Sequence, residues 1–149
     1  MATMLRISEA ASLAIHAMAV VAGKPEEVHS THGVATALGV SEAHLAKVMQ
    51  RLTRAGLVSS VRGPKGGFVL ARPAAEVTLL AIFEAIEGHL EPKGCLLKKP
   101  VCDGKSCILG RLLGDVNREM TEYLSNTRLS DLGKEAPTVA EALLQERSE

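Results

Sequence analysis

The chain of 149 residues has no tryptophan, one tyrosine and two phenylalanines, although 46% of it is apolar. Its core must therefore be built from Ala, Leu, Val, Ile and Met, a composition that suits packed helices better than a β-sandwich. Long hydrophobic runs are missing too. The longest, Ala10 to Ala22, carries His16 and is too short to cross a bilayer. The start of the chain lacks a charged segment followed by a short apolar run and a small-residue cleavage site. A cytoplasmic protein without membrane association is expected. Only three cysteines occur, all between residues 95 and 107, which argues against a secreted disulfide framework. No Ser/His/Asp or paired-carboxylate arrangement stands out, and no Gly-rich phosphate cradle opens a helix. An enzyme is therefore not expected.

Net charge is lacking as well, since 17 basic and 17 acidic residues cancel. The zero hides a segregation. Residues 41–72 carry Lys47, Arg51, Arg54, Arg62, Lys65 and Arg72 against one acid, Glu42. Residues 91–107 are mildly basic, whereas residues 111–149 are acidic, with eight acids against five bases. One end of the molecule should attract phosphate and the other repel it, the electrostatic footprint of a nucleic-acid reader.

Periodicity gives the order of elements. Residues 8–22 read as a first helix, capped by Ser8 and apolar nearly all round, hence buried. A short second helix over 30–39 ends at Gly39, and Ser41 at once caps a third over 42–55, closed by Gly56. Two short helices joined this tightly form a helix-turn-helix. In the third, Leu45, Val48, Met49 and Leu52 make one apolar stripe. His44, Lys47, Arg51 and Arg54 share a separate sector of about 80° at roughly 100° per residue. Residues 57–61 and 68–70 are β-prone, and Arg62-Gly-Pro-Lys-Gly-Gly67 between them carries three glycines where positive φ or close backbone approach is needed. A hairpin directly after a recognition helix is a wing, and its tip presents Arg62 and Lys65. Ser41 and His44, at the start of the third helix, are placed to approach bases and phosphates.

A fourth helix runs from Thr78 to Glu87 and stops at Gly88. After an aperiodic Gly/Pro/Lys/Cys loop over 91–107, residues 108–125 form the longest helix, with Leu109, Leu112, Leu113, Val116, Met120, Tyr123 and Leu124 in a stripe near 3.5-residue spacing. A second copy of the same helix is its expected partner, through Leu109, Leu113, Val116, Met120 and Tyr123. In the tail, Thr138 with Glu141 is a possible capping box ahead of a short helix to Gln145. The expected fold is mostly α with a small β-hairpin. It divides into a winged helix-turn-helix at 1–75, a linking helix and cysteine loop at 76–107, a dimerisation helix at 108–132 and a tail at 133–149.

The run Leu57-Val-Ser-Ser-Val-Arg-Gly-Pro-Lys-Gly-Gly-Phe-Val-Leu-Ala-Arg72 closely resembles the wing signature of the BadM/Rrf-two winged-helix regulators. Ile82-Phe-Glu-Ala-Ile-Glu-Gly88, the three-cysteine loop and the segment Tyr123 to Leu132 extend the resemblance from about Met4 through Leu132. It implies a homodimer on double-stranded DNA at a palindromic operator, with the long helices crossed at the interface. The family includes iron–sulfur, nitric-oxide and iron-responsive repressors. In that light Cys95, Cys102 and Cys107 become candidate ligands of an iron–sulfur cluster, [2Fe-2S] or [4Fe-4S]. Cluster-binding members usually space these cysteines by five and five residues, whereas here the intervals are six and four. Relatives with a histidine ligand just after the third cysteine would need it at Gly110, which cannot serve. Others take a ligand from the first helix across the dimer, and matching that helix puts Ser12 and His16 there, with Glu9 a further candidate. A disulfide switch with one thiol over, a zinc site and a loop without ligand remain open for the cysteines. A family regulator sensing thiol oxidation or a small molecule, and a winged-helix module that binds protein, are the alternative functions.

Overall fold

The computed structural model describes residues 7–91, 95–103 and 106–132; the tail capping box at Thr138 and Glu141 lies outside them. Among the described residues five α-helices and one hairpin occur: α1 Glu9–Gly23, α2 Thr31–Leu38, α3 Glu42–Arg54, β1 Val58–Val61, β2 Gly67–Leu70, α4 Leu79–Glu87 and α5 Gly110–Asn126. Short 3-10 turns sit at Ala74–Glu76 and Leu129–Asp131. The caps explain the starts. The hydroxyl oxygens of Ser8, Ser30, Ser41 and Thr78 accept from the backbone N–H of Ala11, Gly33, His44 and Ala81, satisfying donors that have no partner inside the helix. Gly39 ends α2 in the left-handed region at φ 65°, which a side chain would disfavour.

One core joins all the helices. Leu45, Val48, Met49 and Leu52 of α3 are buried with Leu13, Ala14, Ala17 and Met18 of α1, and with Ile82, Phe83 and Ile86 of α4. The expectation that α1 is buried all round does not hold within one chain. Its core side is sealed, whereas His16 is exposed and Ser12, Ile15 and Ala19 are only half-buried. At about 100° per residue these four share one face, which α3 and α4 do not cover.

The wing is a two-stranded antiparallel hairpin in which Val58 faces Leu70 and Val61 faces Gly67. A third strip of backbone pairs with it at a single point. His29, in the loop before α2, exchanges both backbone hydrogen bonds with Phe68, at 3.0 and 2.8 Å. This crossing accounts for Gly67, because a Cβ there would lie 2.2 Å from the His29 carbonyl oxygen. Gly66 is confined in the same way by the Val61 carbonyl at 2.3 Å, and of the three wing glycines Gly63 alone needs positive φ, at 116°. Close approach therefore explains two of the wing glycines and turn geometry the third.

The far end of α5 returns to the core. Leu124 and Leu129 are buried, the Leu79 N–H donates to the Thr127 carbonyl, and the Leu129 N–H to that of Val77. Residues 127–129 are thus stitched to the strap preceding α4. We expect Gly67→Ala to cost about 1–3 kcal/mol, as overpacking does. Gly114→Ala, at an open helical position with nothing within 4 Å, should gain up to about 1 kcal/mol. Thermal unfolding of the two variants checks both signs.

Candidate nucleic-acid interface and cysteine loop

Burying the apolar stripe of α3 forces its opposite side outward. Lys47, Arg51 and Arg54 are exposed and His44 is half-buried beside them. Ser41 caps the helix, its hydroxyl oxygen accepting from the His44 N–H at 3.2 Å, which leaves its O–H free to donate outward. Arg62 and Lys65 are exposed on the wing tip, held by the tight turn in which the Gly66 N–H donates to the Gly63 carbonyl at 2.9 Å. Helix and wing thus both offer exposed cationic side chains, an arrangement suited to phosphates and groove edges.

Two features of this surface have no sequence signal. Glu42, the one acid in the basic segment, is engaged by His32 Nδ1 of α2, so its carboxylate is drawn toward the first helix of the pair. Arg51 is exposed overall, yet its Nη1 donates to the Ile86 carbonyl at the end of α4, 3.1 Å away. Both contacts join residues of different helices, ten and thirty-five positions apart, where periodicity carries no information.

The cysteine loop follows α4 in the chain. Gly88, at φ 82°, turns the chain out of α4. Glu84 then holds the loop's first residues: its Oε1 accepts from the Leu90 N–H at 3.1 Å and lies 2.9 Å from His89 Nδ1. Cys95 and Cys107 are half-buried, Cys102 is exposed, and all three are free thiols. They are not gathered, and among the described residues no group of three His, Cys, Asp or Glu stands together as a metal site. His16, exposed on α1, has Nδ1 2.7 Å from the Ser12 carbonyl. A proton on Nδ1 donating to that carbonyl leaves Nε2 as the outward lone pair, the state a metal ligand requires. Ser12 thereby acts through its backbone, and Glu9 lies in the first turn of α1.

Helix α5 divides its apolar residues between two faces. Leu124 is buried, Met120 is half-buried against the chain's own core, and Leu113 is half-buried. Leu112, Val116 and Tyr123 are 53%, 43% and 61% exposed, and with Leu109 they fall within a sector of about 60°. Ile108, expected inside the helix, precedes it and is 98% exposed. No helix among the described residues is long and apolar enough to cross a membrane.

Comparison with known proteins agrees with this layout. Residues 7–135 match the Rrf2 family model, described as an iron-dependent transcriptional regulator. The protein aau3 of Rhizobium meliloti is 33% identical over 139 residues, covering 91% of this chain and 89% of its own. The HTH-type transcriptional regulator IscR of Serratia proteamaculans is 29% identical, over 86% of this chain and 79% of its own. Among solved structures CymR, the global cysteine regulator of B. subtilis, superposes with a TM-score of 0.75 at 28% identity, over 89% of this chain and 99% of that one.

Each of Lys47→Ala, Arg54→Ala and Arg62→Ala should weaken binding to a selected operator duplex. A side chain that neutralises one phosphate should lower the slope of log K against log salt by about 0.9. Unchanged isotherms for all three would assign the surface to a protein partner instead.

Proposed function

Because the chain belongs to the Rrf2 family of transcriptional regulators, we propose that it is a homodimeric repressor on palindromic DNA whose hold on the operator is set by an iron–sulfur cluster at the cysteine loop. One observation carries the DNA-binding part: the basic face of α3 and the Arg62/Lys65 wing tip project together from a single rigid core. In such a complex Ser41 and His44 meet base edges at the start of the recognition helix, while Lys47, Arg54, Arg62 and Lys65 meet phosphates or a narrow minor groove.

The outward faces of α1 and α5 support the dimer. Leu109, Val116 and Tyr123, with Leu113 and Met120 beside them, form the seam against the same helix of a second subunit. That pairing also gives the half-bare face of α1, with His16 at its centre, a neighbour to meet. Val116→Asp or Tyr123→Asp places an uncompensated charge in this seam. Sedimentation should then show monomer; an intact dimer in both variants excludes α5 as the interface.

The donor set suits a cluster in its chemistry. Cys95, Cys102 and Cys107 supply three thiolates, and His16 offers an imidazole already oriented through Nδ1. When bound, the cluster makes loop order depend on iron supply and redox state. The chain's own contribution is positional. The loop links the end of α4 to the start of α5, so gathering its thiols pulls on both the reading helix's support and the dimer seam. Cys95→Ala, Cys102→Ala and Cys107→Ala should each abolish the visible absorption of protein reconstituted anaerobically with iron and sulfide, and His16→Ala should shift or destabilise it. A colourless, iron-free wild type that binds its operator normally would leave the thiol switch. That alternative draws on the exposure of Cys102.

A further inference from the structure

Arg51 belongs by sequence to the basic face of α3, but at about 100° per residue it sits on the flank nearest the buried stripe, roughly 60° from Val48. There its guanidinium turns inward and donates from Nη1 to the Ile86 carbonyl. The last carbonyls of a helix have no intrahelical donor, and a cationic side chain that reaches one satisfies it and complements the helix dipole. The Gly88 N–H takes the Glu84 carbonyl at 2.9 Å, and Arg51 takes that of Ile86. The end of α4 is thus closed by its own glycine and by a residue of the recognition helix.

The same short stretch anchors the cysteine loop. The Glu84 carboxylate accepts from the Leu90 N–H and pairs with His89, and Leu90 packs on the core. Cys95 follows five residues later. From the recognition helix to the start of the cysteine loop the contacts run from Arg51 to the Ile86 carbonyl, along one turn of α4, and from Glu84 to His89 and Leu90. We propose that Arg51 is a positioning residue that couples the recognition helix to the base of the cysteine loop, and that it does not neutralise a phosphate. The proposal rests on the DNA-binding reading above and is independent of what the cysteines bind. Coupling is reciprocal, so DNA on α3 must alter the loop as much as the loop alters α3.

The test uses the full-length, iron-free, reduced chain and an operator duplex selected from random double-stranded DNA. Iodoacetamide labelling of Cys95 is followed by peptide mass spectrometry with and without saturating duplex. In the wild type the duplex should change the labelling rate by about fivefold or more, the lower end of ordinary allosteric coupling. Arg51→Met, which keeps the aliphatic stem, should label at the same rate with and without duplex. Its binding should weaken at every salt concentration with the wild-type slope, whereas loss of a phosphate contact would lower that slope by about 0.9. Arg51→Lys keeps the charge but not the fork, so it should retain the slope and lose the labelling difference; it carries the test if Arg51→Met fails to fold. Lys47→Ala at saturating duplex should keep the labelling difference. A lowered slope in Arg51→Met, or a labelling difference that survives both Arg51 variants, overturns the proposal. So does a wild type that binds duplex without any change at Cys95. A wild type that binds no duplex overturns the regulator reading itself, and this proposal with it.

Discussion

The burial of one side of α3 is the constraint on which the rest depends. Leu45, Val48, Met49 and Leu52 enter a core shared with α1 and α4, and each large side chain so buried stabilises the fold by about 1.5–3 kcal/mol. A 13-residue helix pinned along one stripe cannot rotate, so the opposite residues have no choice but to face outward. The same core fixes the wing, since Leu57 and Val58 are buried at its base and His29 crosses β2 at Phe68. The base of the wing is therefore packed into the same core as the reading helix. A chain of zero net charge presents a strongly cationic face because apolar burial, not overall charge, decides where its lysines and arginines point.

Rigidity in the head contrasts with two unsatisfied faces elsewhere. The exposed half of the α5 apolar sector and the half-bare side of α1 with His16 are surfaces that a monomer leaves to water. In the proposed homodimer a second copy would meet both needs at once. The strap from Thr127 to Leu129, bonded to Val77 and Leu79, ties α5 back into the same core that supports α3. A change in how two α5 helices meet would thus be felt by the reading head through packed side chains and a few backbone hydrogen bonds.

Much of the architecture was legible in the sequence because it is local. Ser8, Ser41 and Thr78 cap the helices they were expected to cap, and Gly39 and Gly88 stop the ones before them. The apolar period of α3 separated core from surface correctly. What stayed hidden depends on residues far apart in the chain. Nothing around His29 marks it as a third strip of the wing, although the paired glycines 66 and 67 hinted that something passes close by. The end of α5 joins the core through Leu124, which belongs to the same apolar stripe as the exposed Val116 and Tyr123, and through Leu129 beyond the helix. Arg51 looks like its neighbours Lys47 and Arg54 until the end of α4 is placed beside it. The cysteines are visible as a motif, but their convergence depends on what draws them together, and no spacing rule encodes that.

Native mass spectrometry of the anaerobically reconstituted chain with a selected operator duplex tests the central claim most directly, since it weighs subunits, DNA and inorganic atoms in one complex. Two chains per duplex, each carrying the added mass of iron and sulfide and losing it together with operator affinity or gaining affinity as it is lost, is the predicted result. One chain per duplex, or a complex whose stability is the same with and without the added mass, would contradict the account.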